Sequence, residues 1–190
     1  MFELPKGDSI KTELLFIERC LSLLKPGGRM GIVLPEGVYN NPSLAYVRQF
    51  AEDRAYISAI ISISQETFVS AKAFVKTSLL FMQKFTEQES RKWQELLDNN
   101  RNEILKKQEK EREKIEGILR DITSSKEKKK EAKSKLKELD DFAQSESRRL
   151  ARADFDYPIF MCEAERVGIS STGEEDKNEL PQILEEYTKY

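Results

Sequence analysis

The stretch SIKTELLFIERCLSLLKPGGRMGIVLPEG, residues 9–37, decides the fold. Its first apolar residues recur at helical spacing and predict a helix whose start Ser9 or Thr12 can cap. Pro26-Gly27-Gly28 ends that helix, because proline cannot continue it and glycine permits a left-handed exit. The apolar run Met30–Leu34 then predicts a short strand that is covered on both faces.

A short helix and two further strands are predicted downstream. Ser43 can cap a helix whose residues 44, 47 and 50 line one face, and strands are predicted at 56–63 and within 74–85. The link between these two strands is too short for a helical crossover, so they should pair antiparallel. Alternation of helix and strand in this order is typical of an α/β fold.

The composition changes between residues 87 and 152, where lysine, glutamate and arginine dominate. Apolar residues continue at heptad spacing and predict two long helices folded as an antiparallel, coiled-coil-like hairpin about Ser124. One continuous helix and partial disorder are the alternatives. The run 106–114 lacks an apolar seam, so Leu136 and Leu139 should be weakly covered. The lysine cluster at 126–137 lies near the hairpin turn, is interleaved with glutamate and is interpreted as a solvated helix end.

The last part of the chain returns to globular composition. YPIFM predicts a strand, VGIS a short extended segment, and Asn178 can cap a closing helix. Three parts are therefore predicted: a partial α/β core at 1–86, the charged hairpin at 87–152, and strands with a helix at 153–190 that return to the core.

Bulk composition excludes several classes of function. The 190 residues contain no histidine, which excludes histidine-based triads, zinc sites and general bases. The net charge is −2, and none of the three parts is basic enough to indicate nucleic-acid binding by itself. Two distant cysteines suit a reducing cytoplasm, and no apolar run is long enough to cross a membrane.

Several sequence motifs resemble those of one protein family. LLKPGGRMGIVLPEGV, ISISQETF and AFVKTSLLFMQK, with the tail from residue 155, resemble the adenine-specific DNA methyltransferase (M) subunits of type I restriction–modification systems. The resemblance covers roughly residues 1–86 and 155–190. It implies the carboxyl half of a Rossmann-like methyltransferase sheet with an inserted helical hairpin. The complete enzyme would transfer a methyl group from S-adenosylmethionine to adenine in DNA, beside specificity (S) and restriction (R) subunits.

Two motifs of that family are missing. The chain has neither a glycine-rich cofactor motif nor an Asn-Pro-Pro catalytic motif. Pro26-Gly27-Gly28 leads from helix to strand, whereas a phosphate loop leads from strand to helix. No catalytic, cofactor-binding or metal-binding residue is therefore expected, and the isolated chain should be inactive, bind no S-adenosylmethionine and self-associate. The alternative is a non-catalytic interaction module whose hairpin binds another protein.

Candidate site residues follow from the resemblance. Pro35 and Glu36 lie at the carboxyl end of a strand, where open α/β sheets bind ligands, and could border the target base. Phe68 could stack on a flipped adenine, because enzymes that modify bases extrude them into aromatic pockets. Lys72 and Lys76 could contact DNA phosphates. The structural alternatives are a turn for Pro35 and Glu36, core packing for Phe68, and solvated side chains for the lysines.

Overall fold

The computed structural model describes residues 3–4 and 11–190. The chain divides into two compact units, Met1–Gln88 with Tyr157–Tyr190, and Glu89–Asp156. The helices are α1 (Thr12–Leu23), α2 (Gly37–Asn40), α3 (Ala45–Glu52), α4 (Glu87–Arg120), α5 (Lys126–Asp154) and α6 (Leu180–Lys189). The strands are β1 (Arg29–Pro35), β2 (Ala55–Ile63), β3 (Thr77–Lys84), β4 (Phe160–Ala164), β5 (Val167–Ile169) and β6 (Glu175–Asn178).

A four-stranded sheet in the order β1-β3-β2-β4 forms the centre of the first unit. The predicted antiparallel pairing of β2 with β3 is confirmed, and β1 also pairs antiparallel with β3. Strand β4 pairs parallel with β2, Ala59 lying opposite Phe160. Strands β1, β2 and β4 therefore run in the same direction, and the predicted mixed α/β fold is confirmed.

Both faces of the sheet carry a hydrophobic cluster. On one face, Leu34, Leu80 and Met82 pack with the apolar sides of α1 and α3. On the other face, Ile61 and its neighbours pack with residues of β4 and α6. Burial of apolar area on both sides supplies the main driving force for this unit.

The prediction that β1 is covered on both faces is wrong for the described chain. Leu34 is buried, but Gly31 is exposed and 48% of the Val33 surface is accessible. The second cluster is centred on β2 and β4 and does not reach the outer strand. Strand β1 therefore forms an edge of the sheet, with one apolar face partly open.

Helix α1 and its exit are held by β3. Gly27 adopts a φ of +75°, and its N–H donates to the Lys84 carbonyl at 3.0 Å. The Lys84 ammonium donates to the carbonyls of Leu21 and Leu24, both at 2.8 Å. These carbonyls belong to the last turn of the helix and lack intrahelical donors. The Pro-Gly-Gly turn thus ends the helix as predicted and is fixed by a strand about 60 residues later.

Two predicted helix caps are wrong, and one lies outside the described residues. Ser9 is not described, and Thr12 is the first residue of α1 rather than its cap, with no side-chain cap bond at that end. Ser43 donates its N–H to Asn41 Oδ1 at 2.9 Å inside a short 3₁₀ turn, and α3 begins only at Ala45. Asn is as good an N-cap acceptor as Ser, which is why the local sequence did not separate them.

Helices α4 and α5 form an antiparallel hairpin in the second unit. The Trp93 and Phe155 rings lie 5.6 Å apart at its base, and Arg112 Nη1 lies 2.8 Å from Asp140 Oδ1 further along. Asp121 and Ser125 cap the intervening turn, so a single continuous helix is excluded. Further buried side chains mark the seam: Ile104, Ile115, Ala132, Ala143, Ser147 and Ala151.

The end of the chain differs from its prediction in extent. Strand β4 begins at Phe160 and extends to Ala164, which is later than YPIFM suggested. Strand β6 was not predicted, because its residues EDKN are polar and exposed, yet it pairs antiparallel with β5. The closing helix begins at Leu180, whose N–H donates to Asn178 Oδ1 at 3.1 Å.

Candidate functional site

The carboxyl ends of three strands meet at one edge of the sheet. Strands β1, β2 and β4 run in the same direction and end at Pro35, Ile63 and Ala164. The segments that follow β2 and β4, with Lys76 before β3, line a polar cavity of about 540 Å³. Its lining includes Ser64, Gln65, Thr67, Lys76, Glu163, Arg166, Ser170 and Asp176. In an open α/β sheet this edge is the usual ligand site.

Ion pairs fix the charged groups at this edge. Lys76 Nζ lies 2.8 Å from Glu163 Oε1 and 3.8 Å from Glu36 Oε2. The hydrogen bond that Lys76 donates to the Glu163 carboxylate raises the pKa of Lys76, and the charge of Glu36 adds to the effect. Arg166 and Asp176 form a second pair at 3.5 Å. The edge therefore presents charges of both signs that are paired with each other.

The turn after β1 holds polar atoms that are shielded from solvent. Glu36 donates its N–H to the Lys76 carbonyl at 3.0 Å, which joins this turn to the segment before β3. Among the described residues, Glu36 Oε2 and the Tyr39 hydroxyl are buried without a hydrogen-bond partner. Burial, and secondarily the charge of Glu36, raises the pKa of Tyr39 well above its usual range. A neutral phenol beside a carboxylate can donate a hydrogen bond to a ligand or accept one from it.

The five predicted site residues lie at or after the ends of β1 and β2 in the chain, but of these five only Lys76 lines the polar cavity. Pro35 and Glu36 end β1 and are half-buried. Phe68 ends a 3₁₀ turn after β2 and packs, partly buried, against the cluster between β2, β4 and α6. Lys72 is exposed with a φ of 61°, and its N–H donates to the Val69 carbonyl at 2.8 Å. Lys76 is engaged in the ion pairs above.

Four residues of the edge were not singled out from the sequence. Glu163, Arg166 and Asp176 enter it only because β4 pairs parallel with β2, 100 residues earlier in the chain. Tyr39 follows Glu36 by one helical turn, and that spacing next to a strand end was the available signal. In the described part of the chain, no group of three metal-ligating acidic or thiol side chains converges.

A second cavity is apolar and lies against the sheet face. Its volume is about 610 Å³, and its lining includes Gly31, Leu79, Phe81, Leu184 and Tyr187. Phe81 lies over Gly31, and 39% of the Phe81 surface is accessible. This cavity follows from the open face of β1 described above.

These features define an α/β domain with a polar cavity at the carboxyl ends of its strands. The model of the N-6 DNA methylase family matches residues 5–155, which is most of the chain. The chain therefore belongs to the N-6 DNA methylase family. The resemblance to DNA methyltransferases noted in the sequence is confirmed.

Two solved structures are similar to part of the chain. One is a Listeria monocytogenes protein described as a class I S-adenosylmethionine-dependent methyltransferase, 28% identical with a TM-score of 0.40. That match covers 45% of this chain and 26% of the other. The second comes from a study of assembly and conformational transition in the type I R-M system, at 31% identity and a TM-score of 0.37. It covers 42% of this chain and 17% of the other.

This chain thus spans about a quarter or less of the length of those proteins. A comparison with curated proteins finds no match. Within the described residues, no helix is both long and apolar enough to cross a membrane.

Proposed function

We propose that this chain is part of the M subunit of a type I restriction–modification system. The complete enzyme transfers a methyl group from S-adenosylmethionine to the exocyclic amine of adenine in DNA, in the cytoplasm. The observation that carries the proposal is the N-6 DNA methylase match over residues 5–155. The order of the motifs around LLKPGGRMGIVLPEG and AFVKTSLLFM supports the M subunit in particular.

The contribution of this chain is structural rather than cofactor-binding. It supplies strands β1 to β4 and their carboxyl edge, but it has no glycine-rich strand-to-helix turn that could hold the cofactor. Asn41-Pro42 is the nearest approach to an Asn-Pro-Pro motif, and it forms a 3₁₀ turn. S-adenosylmethionine is therefore held by other parts of the complete enzyme, and the isolated chain is inactive.

The adenine pocket is proposed at the carboxyl edge. Pro35 and Glu36 border it from β1, and Phe68 borders it from the turn after β2. Support comes from the backbone bond between Glu36 and Lys76, which brings both loops together. Lys72 is exposed and available for a DNA phosphate. A phosphate at Lys76 has to compete with Glu163 at 2.8 Å.

Partners cover the parts of β1 that this chain leaves exposed. Specificity and restriction subunits and DNA are the proposed partners in the complete system. Without them, β1 exposes an unpaired backbone edge and the side chain of Val33. Such edges pair readily with another strand, so the isolated chain is proposed to self-associate.

Reconstitution tests this function. The chain is purified alone and also co-expressed with a polypeptide that supplies the glycine-rich cofactor motif and the Asn-Pro-Pro motif of an N-6 DNA methylase. Calorimetric titration of the chain alone with S-adenosylmethionine should show no binding, whereas the complex should transfer labelled methyl groups to adenine in DNA. Micromolar binding by the chain alone would contradict the division of roles. A soluble complex that binds cofactor but leaves adenine unmethylated would contradict the function.

A further inference from the structure

The first half of α5 carries a dense positive charge. Residues 126–137 contain seven lysines and two glutamates, a net charge of +5. In sequence the two glutamates lie among the lysines, which suggested a solvated helix end. On a helix, however, neighbours in sequence point in different directions, each rotated by about 100° from the last.

The helix gathers four of the seven lysines on one flank, apart from the glutamates. Ala132 is buried and Leu136 is half-buried, and together they mark the side of α5 that faces α4. At about 100° per residue, four exposed lysines at 4-3-4 spacing fall within a sector of about 60° on one flank. We call these the lysine stripe: Lys126, Lys130, Lys133 and Lys137. Three exposed glutamates occupy the other flank: Glu127, Glu131 and Glu138.

The lysine stripe is not neutralised within the described chain. Among the described residues, none of its four ammonium groups forms an ion pair, although Glu127 and Glu131 are exposed on the same helix. Asp140 is paired with Arg112, and Glu116 on α4 is paired with Arg120 at 2.9 Å. The stripe also begins in the first turn of α5, where the positive end of the helix dipole disfavours cations. An uncompensated positive face at a helix start costs stability and attracts anions.

We propose that the lysine stripe binds the phosphate backbone of double-stranded DNA. The four lysines extend over about 16 Å of helix, which matches several successive phosphates along a duplex. Their exposed, flexible ammonium groups act as point charges and contact backbone without reading bases. The choice of DNA over other polyanions rests on the proposed function.

The number of lysines sets the expected salt dependence. Four phosphate contacts give a slope of about −3.6 in a plot of log affinity against log salt concentration. Removing two contacts should halve this slope and weaken binding roughly fiftyfold at about 0.1 M salt. Lysines on the other flank should contribute little, although their removal changes the net charge equally.

Fluorescence anisotropy with a labelled duplex of about 20 bp tests the proposal on the full chain, without cofactor. The variant Lys130→Gln/Lys133→Gln alters the stripe. The matched control Lys128→Gln/Lys135→Gln removes the same charge from the opposite side of the same helix. Circular dichroism verifies that both variants keep their helices. The stripe variant should lose affinity and half of the slope, whereas the control should bind like the unaltered chain.

Three results would overturn the proposal. They are absence of duplex binding at low salt, equal losses in both variants, and stripe-dependent binding to phosphatidylserine vesicles but not to the duplex. The last result would assign the stripe to an anionic membrane surface. Because this assay measures neither cofactor binding nor methyl transfer, its failure would leave the reconstitution test of the proposed function unaffected.

Discussion

Lys84 gives a sharp test of how the sheet holds α1. Its ammonium donates to two carbonyls in the last turn of that helix, Leu21 and Leu24, both at 2.8 Å. A hydrogen bond to a charged group contributes about 1.5–3 kcal/mol when it is buried. The Lys84 side chain is only partly buried, so water can replace part of the loss. The substitution Lys84→Met, which keeps the stem, should therefore lower the stability of the first unit by about 1–3 kcal/mol.

The assay must separate the two compact units. Trp93 is the only tryptophan and lies in the hairpin unit, so its fluorescence follows that unit alone. Hydrogen exchange with mass spectrometry follows the α1 amides, which should exchange roughly 5- to 150-fold faster in Lys84→Met. Lys25→Met is the matched control, because it removes an exposed charge from the same end of α1 without carbonyl contacts. If the two variants agree within about 0.5 kcal/mol, the proposed role of the Lys84 bonds is refuted.

Three further predictions concern other parts of the chain. Burial raises the pKa of Tyr39, so an alkaline absorbance titration should show a tyrosine that ionises well above the usual range, and Tyr39→Phe should remove that late step. The stability that the neutral Tyr39 phenol contributes is fully present below the unfolded-state pKa of about 10 and is lost as the pH rises through its folded-state pKa. Ionisation of Tyr39 in the usual range would contradict this prediction. Ile104→Ala, at a buried seam position, should cost about 2–5 kcal/mol by Trp93 fluorescence, and half-buried Leu136→Ala should cost less. Slow hydrogen exchange around residue 136 would contradict the smaller cost, because it would show that the apolar residues there are already covered. Light scattering at micromolar concentration should show self-association of the chain that Val33→Lys abolishes, and a monomeric unaltered chain would contradict the exposed-edge argument.

Local sequence predicted most of the elements correctly. Apolar periodicity and the Pro-Gly-Gly turn placed α1 and β1, because these signals depend only on residues a few positions apart. The short link between β2 and β3 was enough to predict their antiparallel pairing. Heptad spacing gave the two long helices, although the division at 1–86, 87–152 and 153–190 stays a prediction about folding units.

The candidate site depended on contacts that local sequence does not contain. Lys76 was predicted as a phosphate ligand, but it pairs with Glu163, which is 87 residues away and arrives only with β4. The lysine stripe on α5 was hidden because lysines and glutamates that are mixed along the chain can lie on different sides of a helix.

What the sequence by itself determined is the order of helices and strands, the turn that ends α1, and membership of a DNA methylase family. The tertiary structure decided which strand lies at the sheet edge, which face of β1 stays open, and which charges meet at the carboxyl edge. Strand β6 shows the reason most directly. Its EDKN sequence has no apolar pattern, and it is a strand only because the turn around Gly173 places its backbone beside β5. Backbone N–H and C=O groups can pair across a sheet whatever side chains the strand has, so its sequence need not show an apolar pattern.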